Sequence, residues 1–300
     1  MPQIPSLTTS LYEPYRTRLD QLADDSVLTR IIGNMGERRG WWAANRNWKR
    51  TFGRFFPKKS PWAVLIFASP AMGRDTEELC HIEFFEEIPD GLKADSLYEE
   101  SVGWLHFKRF PNDVKLPTIT SVLDKPGRAK VIRYRPGVRC TIRFDYDDGQ
   151  PTVFAKVFPS KEDGQMVYDD AKMLWQATNK VGIGALIAQP LNWDAGTNSL
   201  WLSQVPGQPA IHRLRSENGT ALAEKMGRVV ASLARSELNP KVIFGREEQM
   251  KITMDAALKF TNVIPALSRP VGHLLETLTK IHNKVAMRPL VAIHGAPHPT

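Results

Sequence analysis

The 300-residue sequence has only two cysteines, Cys80 and Cys140, sixty positions apart and without a CxxC pair. That scarcity excludes a disulfide framework and a thiolate zinc knuckle, and it reads as the cysteine usage of a cytoplasmic chain. Long hydrophobic runs are missing too. The longest, WAVLIFASPAM at 62–72, falls short of the roughly 18 apolar residues that a spanning helix needs, so no membrane association is expected. The opening MPQIPSLTTS has neither the basic nor the apolar region of a secretory signal. Walker A and GxGxxG segments are absent, which removes P-loop and Rossmann phosphate sites. RNP, KH, zinc-finger and helix-turn-helix signatures are absent as well.

What is present is a hydrophobic content of 42%, a charged content of 24% and a net charge of +8. Such a chain can bury one large core or two moderate ones. The positive field favours anionic partners without choosing between nucleic acid and nucleotide. Positive charge is densest in ERRGWWAANRNWKRTFGRFFPKKS, where eight Lys or Arg alternate with Trp41, Trp42, Trp48, Phe52, Phe55 and Phe56. Cations interleaved with aromatics can stack bases and neutralise phosphates. The plainer reading, adopted here, has the aromatics pack on neighbouring protein while the cations reach water. No specific nucleic acid is therefore expected as a partner.

Patterning divides the chain. Residues 62–68, 80–88 and 102–110 are rich in β-branched and aromatic side chains and are separated by turn formers, which predicts strands. The connector 111–124 carries two prolines and a short helix. KVIRYR at 130–135, RCTIRFDYDDG at 139–149 and TVFAKVF at 152–158 predict three antiparallel strands, turning at Pro136-Gly137 and at Asp147-Asp148-Gly149. A helix follows over 162–180, where Val167, Ala171 and Leu174 recur at helical spacing with Asp170 on the same stripe. Strands at 183–193 and 199–205 come next, then a flexible-looking Pro206-Gly207-Gln208-Pro209. Beyond it the pattern is helical, with stripes at Leu222, Met226, Val229, Val230 and Leu233, and at Val271, Leu274, Leu275, Leu278, Ile281 and Val285. The expectation is an α+β chain in three parts: a module at 1–128 of unassigned role, a five-stranded, one-helix unit at 129–205, and helices at 206–300.

Lys156 sits among apolar neighbours on the third strand of the middle unit. A strand lysine held by a helix carboxylate can grip a nucleotide phosphate, because the ion pair fixes the ammonium and leaves it able to meet phosphate oxygens. Asp170 is the preferred carboxylate; Glu162 and Asp169 are less well placed. A solubilising or edge-strand charge is the alternative for Lys156. Arg133, Arg135, Arg139 and Arg143 alternate with Ile132, Tyr134 and Ile142, so one face of this sheet should be cationic. Phosphate contacts would fall to Lys156, to Arg135 or Arg139, and to backbone N–H groups around Gly137 and Val138.

At its end the sequence runs from Pro289-Leu290-Val291-Ala292-Ile293 into His294-Gly295-Ala296-Pro297-His298. This segment resembles the catalytic loop, roughly His-Gly-Asp-x-His-x-x-Asn, of the aminoglycoside phosphotransferase and choline kinase-like family. VIRYRPGVRCTIRF resembles that family's first two strands and phosphate-covering turn, VFAKVF its lysine strand, and LSQVPGQP its hinge. The resemblance covers roughly 106–300. It implies a protein-kinase-like two-lobed fold with an incomplete C-lobe, ATP with Mg²⁺ as cofactors, and γ-phosphate transfer to the hydroxyl of a small molecule. His294, Ala296 and His298 would then be the catalytic-loop positions. Ala296 stands where the family's base aspartate belongs, and a positioned base contributes about 10² to 10⁴ in rate. The family's metal ligands would lie beyond Thr300, so the chain is expected to stop inside the loop and to be impaired. No metal site is expected in the chain itself: Pro297 prevents a regular helix through His294 and His298, and imidazoles suit Mg²⁺ poorly. The alternative is a non-catalytic kinase-like domain that binds nucleotide or a partner.

Overall fold

The computed structural model describes residues 22, 24–56, 60–70, 77–100, 102–181, 186–207, 213–214, 218–234, 245–263 and 265–285. Two five-stranded sheets and several helices make an α+β chain. It divides into two compact units, one of 1–161 with 194–199 and one of 162–193 with 200–300.

In the first unit, α1 (Asp25–Arg38) has both ends written in its sequence. Asp24 caps the N-terminus, its Oδ1 accepting from Ser26 N at 2.8 Å. Gly40, at φ +62°, closes the other end: its N–H donates to Glu37 O at 3.0 Å and that of Trp41 to Gly36 O at 2.8 Å. This pair of bonds is the Schellman arrangement, and the left-handed φ is why a glycine stands there. The chain then doubles back, placing Trp42 and Trp48 in the core, 4.7 Å apart and edge-on.

The first sheet has the order β1-β2-β3-β5-β4, formed by β1 (Lys49–Phe55), β2 (Ala63–Pro70), β3 (Glu77–Phe85), β4 (Ser96–Glu99) and β5 (Gly103–Arg109). Register sorts its side chains. The rows Gly53–Leu65–Ile82–Phe107 and Phe55–Ala63–Phe84–Leu105 point to one face and form the core with Leu28, Ile32 and the two tryptophans. The rows Phe52–Ile66–His81–Lys108 and Arg54–Val64–Glu83–His106 point to the other. Alternation of this kind follows from the two-residue period of a strand.

A connector carrying α2 (Ile119–Leu123) leads to the second sheet, whose order is β6-β7-β8-β10-β9. Its meander is β6 (Arg128–Arg135), β7 (Arg139–Asp145) and β8 (Val153–Val157). The apolar face, with Tyr134, Cys140, Ile142, Phe144, Ala155 and Val157, is buried, and α2 packs against β8. Thr118 Oγ1 donates to Thr197 O at 2.6 Å, holding the connector in place. Cys80 on β3 and Cys140 on β7 are both fully buried.

The second unit holds α3 (Lys161–Val181), most of β9 (Pro190–Asp194) and β10 (Ser199–Ser203), and then α4 (Gly219–Ala234), α5 (Arg246–Val263) and α6 (Ser268–Lys284). The stripe expected on α4 is half-buried at Leu222, Met226, Val229 and Leu233, whereas Val230 is exposed. On α6 the expected stripe is largely open, Leu274 and Ile281 being more than half exposed. Three elements fall where patterning named none: α1, β1 and β4. Of the strand expected over 183–193, residues 186–189 are irregular and a strand runs over Pro190–Asp194, while 183–185 lie outside the described residues. Among the described residues no helix is long and apolar enough to cross a membrane.

Candidate functional site

The outward face of β6–β8 is built by register. Arg133 stands opposite Thr141, Thr141 opposite Lys156, and Arg135 opposite Arg139, so Arg133, Arg135, Arg139 and Lys156 share one face. Arg143 shares it as well but is spent on Asp145, with Nε at 2.9 Å and an Nη at 2.8 Å from the same oxygen. The other four have no carboxylate partner among the described residues. Burial, then the charges of Arg135 and Arg133, lower the pKa of Arg139. Burial, then the charge of Arg139, lowers that of the half-buried Lys156. Like charges gathered at low dielectric raise one another's cost, and an arriving anion relieves it.

Arg135-Pro136-Gly137-Val138 closes the β6–β7 hairpin as a β-turn, with Val138 N donating to Arg135 O at 3.0 Å. Pro136 presets the second position and Gly137, at φ +64°, supplies the left-handed third. Both N–H groups that were expected to face a phosphate are committed inside the protein. That of Gly137 donates to Asp113 Oδ2 at 2.7 Å. The same oxygen accepts from Tyr134 OH at 2.8 Å, and Oδ1 accepts from Lys115 N at 3.0 Å. Asp113 therefore ties the connector to the turn. Burial and the adjacent Asp113 carboxylate push the Tyr134 hydroxyl far up from its ordinary pKa, so it stays a donor.

Beside the turn lies a cavity of about 550 Å³. Its floor is the second face of the first sheet, through Phe52, Val64, His81 and Glu83, and its rim is the turn with Lys115. Glu83 is paired with Lys108 at 2.8 Å. His81 is 4% exposed. Its Nε2 stands 3.5 Å from Glu83 Oε1, outside hydrogen-bond geometry, and Nδ1 has no partner. Burial lowers its pKa from 6.5 to about 4; Glu83 and Asp113 oppose the shift, while Lys108 and His106 add to it. The ring is therefore neutral near pH 7, and its approach to Glu83 is not an ion pair.

A depressed histidine pKa means that the unfolded chain binds the proton first. The contribution of His81 to stability is complete above pH 6.5 and is lost as pH falls towards 4, a total of about 3 kcal/mol. Burial also lowers the pKa of His106, which acts in the same direction. Urea midpoints of the parent should fall between pH 6.5 and 4 more steeply than those of His81→Gln. Parallel profiles would show that His81 does not titrate in this way.

Of the residues named from sequence, Lys156, Arg139, Gly137 and Val138 come together on and around the β6–β7 hairpin. Asp170 is half-buried on α3. Glu162 is exposed in the first turn of α3, and Asp169 accepts from Gln165 Nε2 at 3.0 Å. His294, Ala296 and His298 lie outside the described residues. Trp42 and Trp48 are core residues and present no stacking surface. Sequence reasoning missed Asp113, His81 and Lys115; the only local signal was the Asp-x-Lys spacing of an Asx-turn at 113–115. Among the described residues no group of three or more His, Cys, Asp or Glu could hold a metal ion. Compared with protein-family models, curated proteins and solved structures, the chain matches none.

Proposed function

We propose that the cationic face of β6–β8 binds the phosphate chain of ATP, and that the chain is a kinase-like member of the aminoglycoside phosphotransferase and choline kinase-like family. The reaction of that family is transfer of the ATP γ-phosphate to the hydroxyl of a small molecule, and in this chain it is impaired because Ala296 occupies the base position. One observation carries the binding part: Arg133, Arg135, Arg139 and Lys156 share a face, and none of them has a carboxylate partner among the described residues. Four cations so placed fit a polyphosphate, since charge-assisted hydrogen bonds from Arg and Lys are short and strong. The order of a three-stranded meander bearing Lys156, a helix, two more strands and then helices also agrees with the family resemblance. Mg²⁺, if it is used, would supply charge neutralisation between the terminal phosphates; the described residues offer it no ligand cluster.

A specific observation favours the non-catalytic reading of the same site. The two turn amides that would cradle phosphate in a working kinase are occupied by Asp113 and Arg135. Binding without turnover is the outcome expected from both this and Ala296.

Titration calorimetry with Mg-ATP tests the reading. Arg139→Ala and Lys156→Ala should each weaken binding about tenfold or more, the effect of losing one charge-assisted contact. Unchanged affinity in both variants would remove the site. Inorganic tripolyphosphate binding as tightly as ATP would show that the adenosine is not read, and would overturn the nucleotide assignment. A panel of small hydroxyl compounds, choline and amino sugars among them, should give no phosphorylated product; steady magnesium-dependent turnover would overturn the impairment.

A further inference from the structure

We propose that the cavity between the first sheet and the Pro136-Gly137 turn is a binding site for a small organic anion with a flat apolar body. This goes beyond the nucleotide reading and does not rest on it. The volume, about 550 Å³, lies within the range of small-molecule sites, roughly 300–1,000 Å³. Its chemistry is mixed in the way such sites are mixed. Phe52, Phe56, Val64 and Val138 supply apolar wall, and the Arg54 guanidinium lies 4.9 Å from the centre of the Phe56 ring.

The sign of the ligand follows from which charges are already committed. Glu83 is held by Lys108, and Asp113, which keeps its charge, accepts from Gly137 N, Tyr134 OH and Lys115 N; the lining cations Arg54, Lys108, Lys115 and Arg135 outnumber these two carboxylates. Arg135 Nε, by contrast, is buried and has no hydrogen-bond partner, and Lys115 has no ion pair among the described residues. An anion placed here meets unspent donors and an excess of positive charge. His81 is the second, independent observation. It lines the cavity, it is almost wholly buried, and neither ring nitrogen is hydrogen-bonded. Buried polar groups are ordinarily satisfied, and an orphan of this kind costs stability until something fills its need. A neutral imidazole offers one donor and one acceptor; with Nε2 lying 3.5 Å from Glu83 Oε1, Nδ1 is the nitrogen left to accept from a ligand. A carboxylate beside a hydroxyl or amide on an aromatic body matches all of these groups.

The probe is 3-hydroxy-2-naphthoate, followed by titration calorimetry against the full chain, with 3-hydroxy-2-naphthamide as the neutral comparison of nearly equal shape. We expect saturable binding of the naphthoate and at least about tenfold weaker binding of the amide, together with a shift of the His81 ring-nitrogen resonances in histidine-labelled protein. Arg135→Gln should reduce naphthoate affinity about tenfold, and His81→Phe should reduce it while circular dichroism shows the fold retained. Absence of saturable naphthoate binding, equal affinity for naphthoate and naphthamide, or unmoved His81 resonances would each overturn the proposal. All three use the unaltered protein and hold whether or not a variant folds.

Discussion

Gly36→Ala should destabilise the first unit by on the order of 3 kcal/mol, although alanine is the better helix former by about 1 kcal/mol. A Cβ built on Gly36 would overlap the indole of Trp42, and that indole has nowhere to go. It is 7% exposed, donates from Nε1 to Ile32 O at 3.0 Å, and packs edge-on to Trp48. Moving it loses the hydrogen bond and opens the core at once. Gly33 is under the same constraint, because a Cβ there would run into the backbone carbonyl of Ala44. Both glycines lie on the buried side of α1, so the segment after Gly40 can lie directly on the helix. Urea denaturation followed by circular dichroism reads the loss. In a Trp42→Phe background the smaller ring should accept part of the new methyl, so the two substitutions should be less than additive. A midpoint unchanged or raised by Gly36→Ala would show that Trp42 does not pack as described.

Asp113→Ala should cost a similar amount, about 3–5 kcal/mol, because one carboxylate satisfies three donors and hydrogen bonds to a charged group contribute roughly 1.5–3 kcal/mol each. Two of its donors are the hydroxyl of Tyr134, which is 7% exposed, and the amide of the half-buried Gly137. Neither has an alternative acceptor among the described residues. Asp113→Asn keeps one acceptor oxygen and should lose about half as much. Tyr134→Phe removes the donor instead and should be milder. The double variant Asp113→Ala/Tyr134→Phe should show a coupling of about 1–2 kcal/mol, since removing both partners leaves nothing orphaned. Additive losses would mean that the bond between them contributes nothing.

The difference between what could and could not be read beforehand has a physical pattern. The hairpins of β6–β8 were legible because Pro136-Gly137 and Asp147-Asp148-Gly149 state their turns locally, and because Cys140, Ile142 and Phe144 alternate strictly. The α3 helix was legible from its stripe. β1 was not, because KRTFGRF mixes charge with a central glycine and pairs on one side only, to β2. Nor was α1, whose GNMGER end looks like a loop until Trp42 is known to lie against its glycines. The cationic face was foreseeable from alternating arginines. Its relation to the turn was not, because the residue that occupies the turn amide, Asp113, comes from a connector before the sheet. The cavity was the least accessible of all, since His81, Asp113 and Arg135 meet only through the pairing of one sheet and the capping of another.

The two thiols have a consequence for how the folded chain meets oxidants. Cys140 is pushed up to about 12 by burial, with a smaller contribution from Asp113, and burial raises Cys80 further still. Thiolate is the form that oxidises and exchanges, and at neutral pH almost none is present on either side chain. Each is also enclosed within its own sheet, out of reach of glutathione or a partner thiol. In the folded protein neither thiol is poised to form a disulfide. The scarcity of cysteine thus goes with two inert thiols and not with a disulfide on which the fold depends.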